Sequence, residues 1–191
     1  MKKYQRYSLE KLYKSPKTVF TIKDFALIWE SNQPELIWSR VSDYRKKGKL
    51  YRIRKGIYTK DKNYNKFELA TKIYTPSYIS LETVLAKNDI IFQYYKTILV
   101  VSYLSREIKV DGKNIKISKI KDDILTNQKG MIKKDNYFEA TKERAFLDAL
   151  YLYKDYHFDN LEQLNRKKVM DLAKIYNNKA LIKRTKSYFN A

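Results

Sequence analysis

Helix-type and strand-type patterning alternate in blocks along this sequence, which predicts an α+β chain. Three stretches carry that expectation. Residues 18–59 read as two short helices followed by an apolar–basic alternation broken at Lys55-Gly56. Residues 97–120 read as a buried strand and then a hairpin around Asp111-Gly112. From Thr141 onward the pattern is helical.

The elements follow in order. Leu9, Leu12 and Tyr13 stand at i, i+3 and i+4, which predicts a short helix ended by Ser15-Pro16. Thr21 is placed to cap a second helix with Asp24 in its first turn, and Ile22, Phe25, Ile28 and Trp29 share one face. Ser31-Asn32-Gln33 reads as the turn. Pro34 suits the first position of a third helix that Gly48 stops. On that helix Ile37, Val41 and Tyr44 form the inward stripe. Its other face carries Glu35, Ser39, Ser42 and Lys46, flanked by Trp38 and Arg45, side chains that suit a helix lying in a major groove. Leu50 to Tyr58 then alternates apolar and basic residues around Lys55-Gly56, a two-stranded hairpin loaded with cations. Helix, helix and basic hairpin together predict a winged helix-turn-helix over residues 1–62, a geometry suited to duplex DNA.

The candidate DNA contacts follow from that layout. Trp38, Ser39, Ser42 and Arg45 are placed for base edges, with Trp38 equally suited to the core edge or to packing on a neighbouring domain, and Glu35 is a DNA-binding candidate on the same side of the helix. Lys46, Lys47 and Lys49 continue the charge, although Lys46 and Lys47 also complement the helix dipole. Arg52, Arg54 and Lys55 are the hairpin cations aimed at phosphate or the minor groove. Simple alternation places Arg52 and Arg54 opposite Ile53.

Residues 63–191 predict a second domain with a small mixed β-sheet and several helices. Residues 60–66 read as a connector, and Lys66–Tyr74 as a helix with Phe67, Ala70 and Ile73 spaced for burial. Tyr78-Ile79 suggests a short strand, with Ser80 capping a helix over Leu81–Lys87. Thr97–Tyr103 reads as a buried strand, Glu107–Val110 and Asn114–Ile120 as a hairpin, and Met131–Ala140 as one further strand. Thr141 caps Lys142–Tyr153, and Leu161–Tyr176 and Lys179–Phe189 are expected to be helical.

Composition narrows the function classes. The chain holds 41 Lys and Arg against 21 Asp and Glu, a net charge of +20. That excess favours a polyanionic partner. Abundant Lys, Asn, Ile and Tyr fit an AT-rich coding bias, so placement says more than the sum. Residues 1–60 hold 16 cationic and 5 acidic side chains, whereas 61–191 hold 25 and 16. With no cysteine, disulfides, thiolate nucleophiles and zinc fingers are excluded. His157 is the sole histidine, which excludes a His-rich metal site. No apolar run is long enough to span a membrane, and no secretory signal reads behind Met1-Lys2-Lys3-Tyr4, so a cytoplasmic protein without a membrane partner is expected. No cofactor, metal or small-molecule substrate is implied.

Four stretches read together resemble the AbiEi-type antitoxins of bacterial abortive-infection systems. They are Val19-Phe20-Thr21 before its Asp-containing helix, residues 46–58, Tyr78-Ile79-Ser80-Leu81 with Leu85 ahead of the 97–103 strand, and Ala140 to Leu150. The last is the most specific, being similar to the family's Glu-Arg-Ala-x-x-Asp pattern at a helix start. Lys142 stands where the family often has Pro. The resemblance covers roughly residues 18–180. It implies a winged helix that represses its own operon through an inverted repeat upstream of its gene. It further implies a C-terminal domain that aids DNA binding or neutralises a nucleotidyltransferase-like toxin encoded next door; an orphan regulator without a toxin is the close alternative.

Within the last stretch, Arg144 and Asp148 are i, i+4 on one helix face. An intrahelical ion pair is favoured there over contact with a toxin, and Glu143 reads as a first-turn dipole partner. Two rival classes remain. Glu107-Ile108-Lys109 with Asp89 upstream imitates the acidic-x-Lys arrangement of Mg²⁺-dependent restriction-type nucleases, and the chain could also be a protein-interaction module with incidental charge. The sequence favours the non-enzymatic reading.

Overall fold

The computed structural model describes residues 8–189. The chain is α+β and divides into two compact units between Ile73 and Tyr74. The expected boundary at residue 62 thus falls inside the first unit, because a helix beyond it packs back onto that unit. Met1-Lys2-Lys3-Tyr4 lies outside the described residues.

The first unit runs α1 (Leu9–Lys14), β1 (Val19–Thr21), α2 (Ile22–Ile28), α3 (Pro34–Lys46), β2 (Tyr51–Arg54), β3 (Ile57–Thr59) and α4 (Lys66–Lys72). Its sheet has the order β1-β3-β2, antiparallel throughout. Thr21 and Asp24 form a full capping box at the start of α2. Pro34 occupies the first turn of α3, as its fixed φ and missing N–H favour. Leu12, Phe20, Phe25, Trp29, Ile37, Val41, Leu50 and Tyr58 close one apolar core. Phe25 lies between Phe20 and Trp29, with ring centroids 5.5 and 5.1 Å away.

Helix α4 belongs here for a polar reason. Glu68 is buried and accepts from the Thr18 amide at 2.9 Å and the Thr18 hydroxyl at 2.6 Å. The spacing of Phe67, Ala70 and Ile73 predicts an ordinary apolar face. Instead Leu69 and Ala70 are buried beside a charged residue, while Phe67 and Ile73 are half-buried.

The second unit contains β4 (Ser77–Ile79), α5 (Glu82–Lys87), β5 (Ile98–Ser102), β6 (Arg106–Val110), β7 (Lys113–Lys119), α6 (Asp122–Leu125), β8 (Met131–Lys133), β9 (Phe138–Ala140), α7 (Lys142–Tyr153), α8 (Arg166–Ala173) and α9 (Lys179–Tyr188). A mixed sheet has the order β6-β7-β5-β4-β9-β8. The pairs β5–β7 and β4–β9 are parallel and the remainder antiparallel. Helix α7 is central: every residue from Glu143 to Leu150 is buried.

Three expectations need correction here. Residues 131–140 form two antiparallel strands, β8 and β9, not one. The helix expected from Leu161 begins only after Asn165, whose side chain accepts from the Lys168 amide and sets the start. Ser80 caps nothing: α5 starts after Leu81, held at φ +56, and the Ser80 hydroxyl turns inward to Asp148.

Candidate nucleic-acid interface

The frame that presents α3 is fixed by charge as well as by its core. The Asp24 carboxylate accepts from the Thr21 amide at 2.8 Å, the Thr21 hydroxyl at 2.7 Å, Lys17 Nζ, and Lys72 Nζ at 2.8 Å. Burial alone would push this carboxyl up, but the bonds from Lys17, Lys72 and Thr21 outweigh it and hold the pKa at about 2. One side chain therefore joins the start of α2 to the end of α4.

With Ile37 and Val41 in the core, the outward face of α3 is settled by 3.6-residue geometry. Glu35, Trp38, Ser39, Ser42, Arg45 and Lys46 follow one another on that face. Glu35, Ser39, Arg45 and Lys46 are exposed, Ser42 is half-buried, and Trp38 keeps 46% of its surface open. Trp38 is thus an exposed side chain and not a member of the core.

The helix then ends in a Schellman cap. Gly48 takes φ +66, its amide donates to Arg45 O at 3.0 Å, and the Lys49 amide donates to Tyr44 O at 2.8 Å. This cap reverses the chain and delivers it through buried Leu50 straight into β2. The β2–β3 hairpin turns at Lys55-Gly56, with Gly56 at φ +80.

The simple alternation expected for this hairpin fails at its centre. Arg52 pairs with Tyr58 but Arg54 pairs with Ile57, so Ile53 is an extra residue in a β-bulge. Arg52 and Lys55 are exposed and Arg54 is half-buried. From Arg45 to Lys55 the chain carries Arg45, Lys46, Lys47, Lys49, Arg52, Arg54 and Lys55 with no acidic residue among them. Tyr51, 39% exposed at the start of β2, stands among these cations and is not one of the residues expected from sequence. Its signal was there: an aromatic hydroxyl within a cationic run can donate to phosphate oxygens.

The Arg144 cluster in the second unit has a different character. Arg144 and Asp148 are 0% exposed, with Nε 3.4 Å from Oδ1, and Glu143 is also buried. The expected ion pair is present, and all three side chains are buried. Arg144 Nη1 donates to Lys129 O at 2.8 Å, and Nη2 to Ile124 O at 2.7 Å and to Tyr78 Oη at 3.2 Å. Asp148 accepts from Ser80 Oγ at 2.7 Å, Tyr78 Oη at 3.0 Å and Tyr176 Oη at 2.6 Å. Burial pushes the Asp148 carboxyl up, opposed by Arg144 and the three hydroxyls.

Glu107 and Lys109, the nuclease-like pair, lie on β6 at the end of the sheet. The Glu107 side chain is 76% exposed and 3.7 Å from Lys116 Nζ. Among the described residues no three or more His, Cys, Asp or Glu side chains gather to hold a metal ion. Asp89 sits in the turn after α5 at φ +55. An open cleft of about 600 Å³ lies over β5, β6 and β7, lined by Glu82, Tyr95, Lys109 and Lys116 among others. Burial raises the Glu82 carboxyl pKa within it.

No protein-family model matches this chain, and comparison with curated proteins gives no match. Among the described residues no helix is long and apolar enough to cross a membrane.

Proposed function

We propose that this chain is a sequence-specific double-stranded-DNA-binding protein that represses transcription of its own operon, with the first unit acting as a winged helix-turn-helix. One observation carries the reading. A helix face carrying Ser39, Ser42 and exposed Trp38 leads into seven cations, and no acidic residue lies between Arg45 and Lys55. In this reading Ser39, Ser42, Trp38 and Arg45, with Glu35 at the helix start, address base edges in the major groove. Lys46, Lys47, Lys49, Arg52, Arg54 and Lys55 hold phosphates or reach the minor groove. The protein works in the cytoplasm without a cofactor and catalyses no reaction.

The antitoxin role is part of the same proposal and rests on the resemblance to AbiEi-type antitoxins alone. It assigns a nucleotidyltransferase-like toxin, encoded beside this gene, as the protein partner. Co-expression with the neighbouring gene product tests it: relief of toxicity supports a toxin–antitoxin pair, and continued toxicity leaves an orphan regulator.

Fluorescence anisotropy against tiled fragments from upstream of the gene tests DNA reading. Preference for one fragment over a scrambled duplex by about a hundredfold or more is expected. Replacing Arg52 and Arg54 with Glu is expected to weaken binding to all duplexes alike and flatten the salt dependence. Equal binding of every fragment would refute specific recognition, and unchanged binding by the double variant would remove the hairpin from the interface.

A further inference from the structure

We propose that a second copy of this chain pairs with the open edge of β6, joining two sheets across a twofold axis at Ile108. The inference does not rest on DNA binding.

Among the described residues, strand β6 ends the sheet and pairs only with β7. At the opposite end β8 is only three residues long, whereas β6 has five. The connection from β6 to β7 is Asp111-Gly112, with φ +48 and +72. Two positive φ values in a two-residue loop make a type I′ turn, whose flanking residues form a hydrogen-bonded pair. Val110–Lys113 is that pair, and alternation makes Ile108–Ile115 and Arg106–Ile117 the next ones. The amides and carbonyls of Glu107 and Lys109 therefore point away from β7, to the open side.

An antiparallel strand arriving at that side must set its own outward-facing residues against Glu107 and Lys109. For two identical strands, three symmetric registers do so, centred on Glu107, Ile108 or Lys109. Centring on Glu107 opposes two carboxylates, and centring on Lys109 opposes two ammonium groups. Both are unfavourable for directly opposed side chains. Centring on Ile108 sets each Glu107 against the other copy's Lys109 and forms both backbone bonds at each of these pairs.

The side chains support the same register. Glu107, Lys109 and, across β7, Lys116 share one face. Glu107 already approaches Lys116 at 3.7 Å. Pairing extends this contact into a row of Lys116, Glu107 and the second copy's Lys109. On the other face half-buried Ile108 meets its own copy at a non-hydrogen-bonded position, where side chains come closest. Charged residues on a sheet edge discourage indiscriminate pairing; here the same charges reject the two wrong registers and accept one. The resulting dimer carries two copies of the first unit, the number an inverted repeat engages.

Sedimentation of the full chain without DNA, over a concentration series, tests the proposal. A species of twice the 23.0 kDa chain mass is expected. Glu107→Lys alone and Lys109→Glu alone should each weaken dimerisation by about tenfold or more, since the change acts at both symmetric pairs. Combining the two reversals should recover dimer relative to either single variant. Recovery is expected to be incomplete, because Lys116 then faces a like charge within the hairpin. Unchanged circular dichroism of each variant establishes that the fold is intact. Wild type that stays monomeric up to its solubility limit overturns the proposal, as does a dimer that neither single reversal weakens.

Discussion

Asp24→Asn is the perturbation whose effect is best defined by the structure. The Asp24 side chain is only 7% exposed, and its pKa falls from an ordinary 3.8 to about 2 in the folded chain. At about 1.36 kcal/mol per pKa unit this preference is worth roughly 2 kcal/mol at neutral pH. The folded value is the lower one, so the stabilisation is complete above the unfolded pKa and is lost as pH falls through about 2. Asparagine retains one acceptor oxygen for Thr21 but has no charge to titrate.

Urea unfolding of the full chain, followed by tryptophan emission, isolates the relevant unit, because both tryptophans, Trp29 and Trp38, lie in it. The stability difference between wild type and variant is expected to shrink by roughly 2 kcal/mol between pH 7 and pH 2. A difference that stays constant over this range would refute the account of Asp24 as a charged link between α2 and α4.

Other perturbations probe the remaining parts. Ser42→Ala is expected to change which duplex is preferred while leaving binding to scrambled DNA unaltered, read by anisotropy competition; identical rankings would place Ser42 outside the groove. Arg144→Met should cost about 3–5 kcal/mol in chemical denaturation followed by circular dichroism, because Asp148 loses its cation and the carbonyls of Ile124, Asn127 and Lys129 lose a donor. A loss below about 1 kcal/mol would show that the cluster is dispensable. Gly130→Ala should lower the melting temperature: its Cβ would lie 3.0 Å from Leu172 and 3.1 Å from Arg144, at φ +74. An unchanged melting temperature would mean that the loop gives way without cost.

What could be read from the sequence was chemistry acting over a few residues. The Thr21–Asp24 cap, Pro34, the Gly48 stop and the Asp111-Gly112 turn are each decided by neighbours in the chain, and each is where it was expected. Features that depend on distant partners were hidden. Nothing near Glu68 announces that its carboxylate will be buried against Thr18, and nothing near Ser80 announces Asp148. The parallel pairing of β5 with β7 lies between strands whose local patterns carry no orientation. At the candidate interface the exposed face of α3 was legible from periodicity. The bulge at Ile53 was not, since strict alternation is the only rule a short apolar–basic run displays. The Arg144 stretch, the most specific point of resemblance, proves to be buried architecture and so reports on the second unit's packing.

The position of Arg144 also couples two stretches of chain that are distant in sequence. The segment from Ile124, in α6, to Lys129 has carbonyls that accept from a guanidinium on α7, a helix lying later in the chain. Without that guanidinium these carbonyls would have to turn to water. The segment's amide protons should become shielded in step with those of α7, and release together with them whenever that helix lifts away.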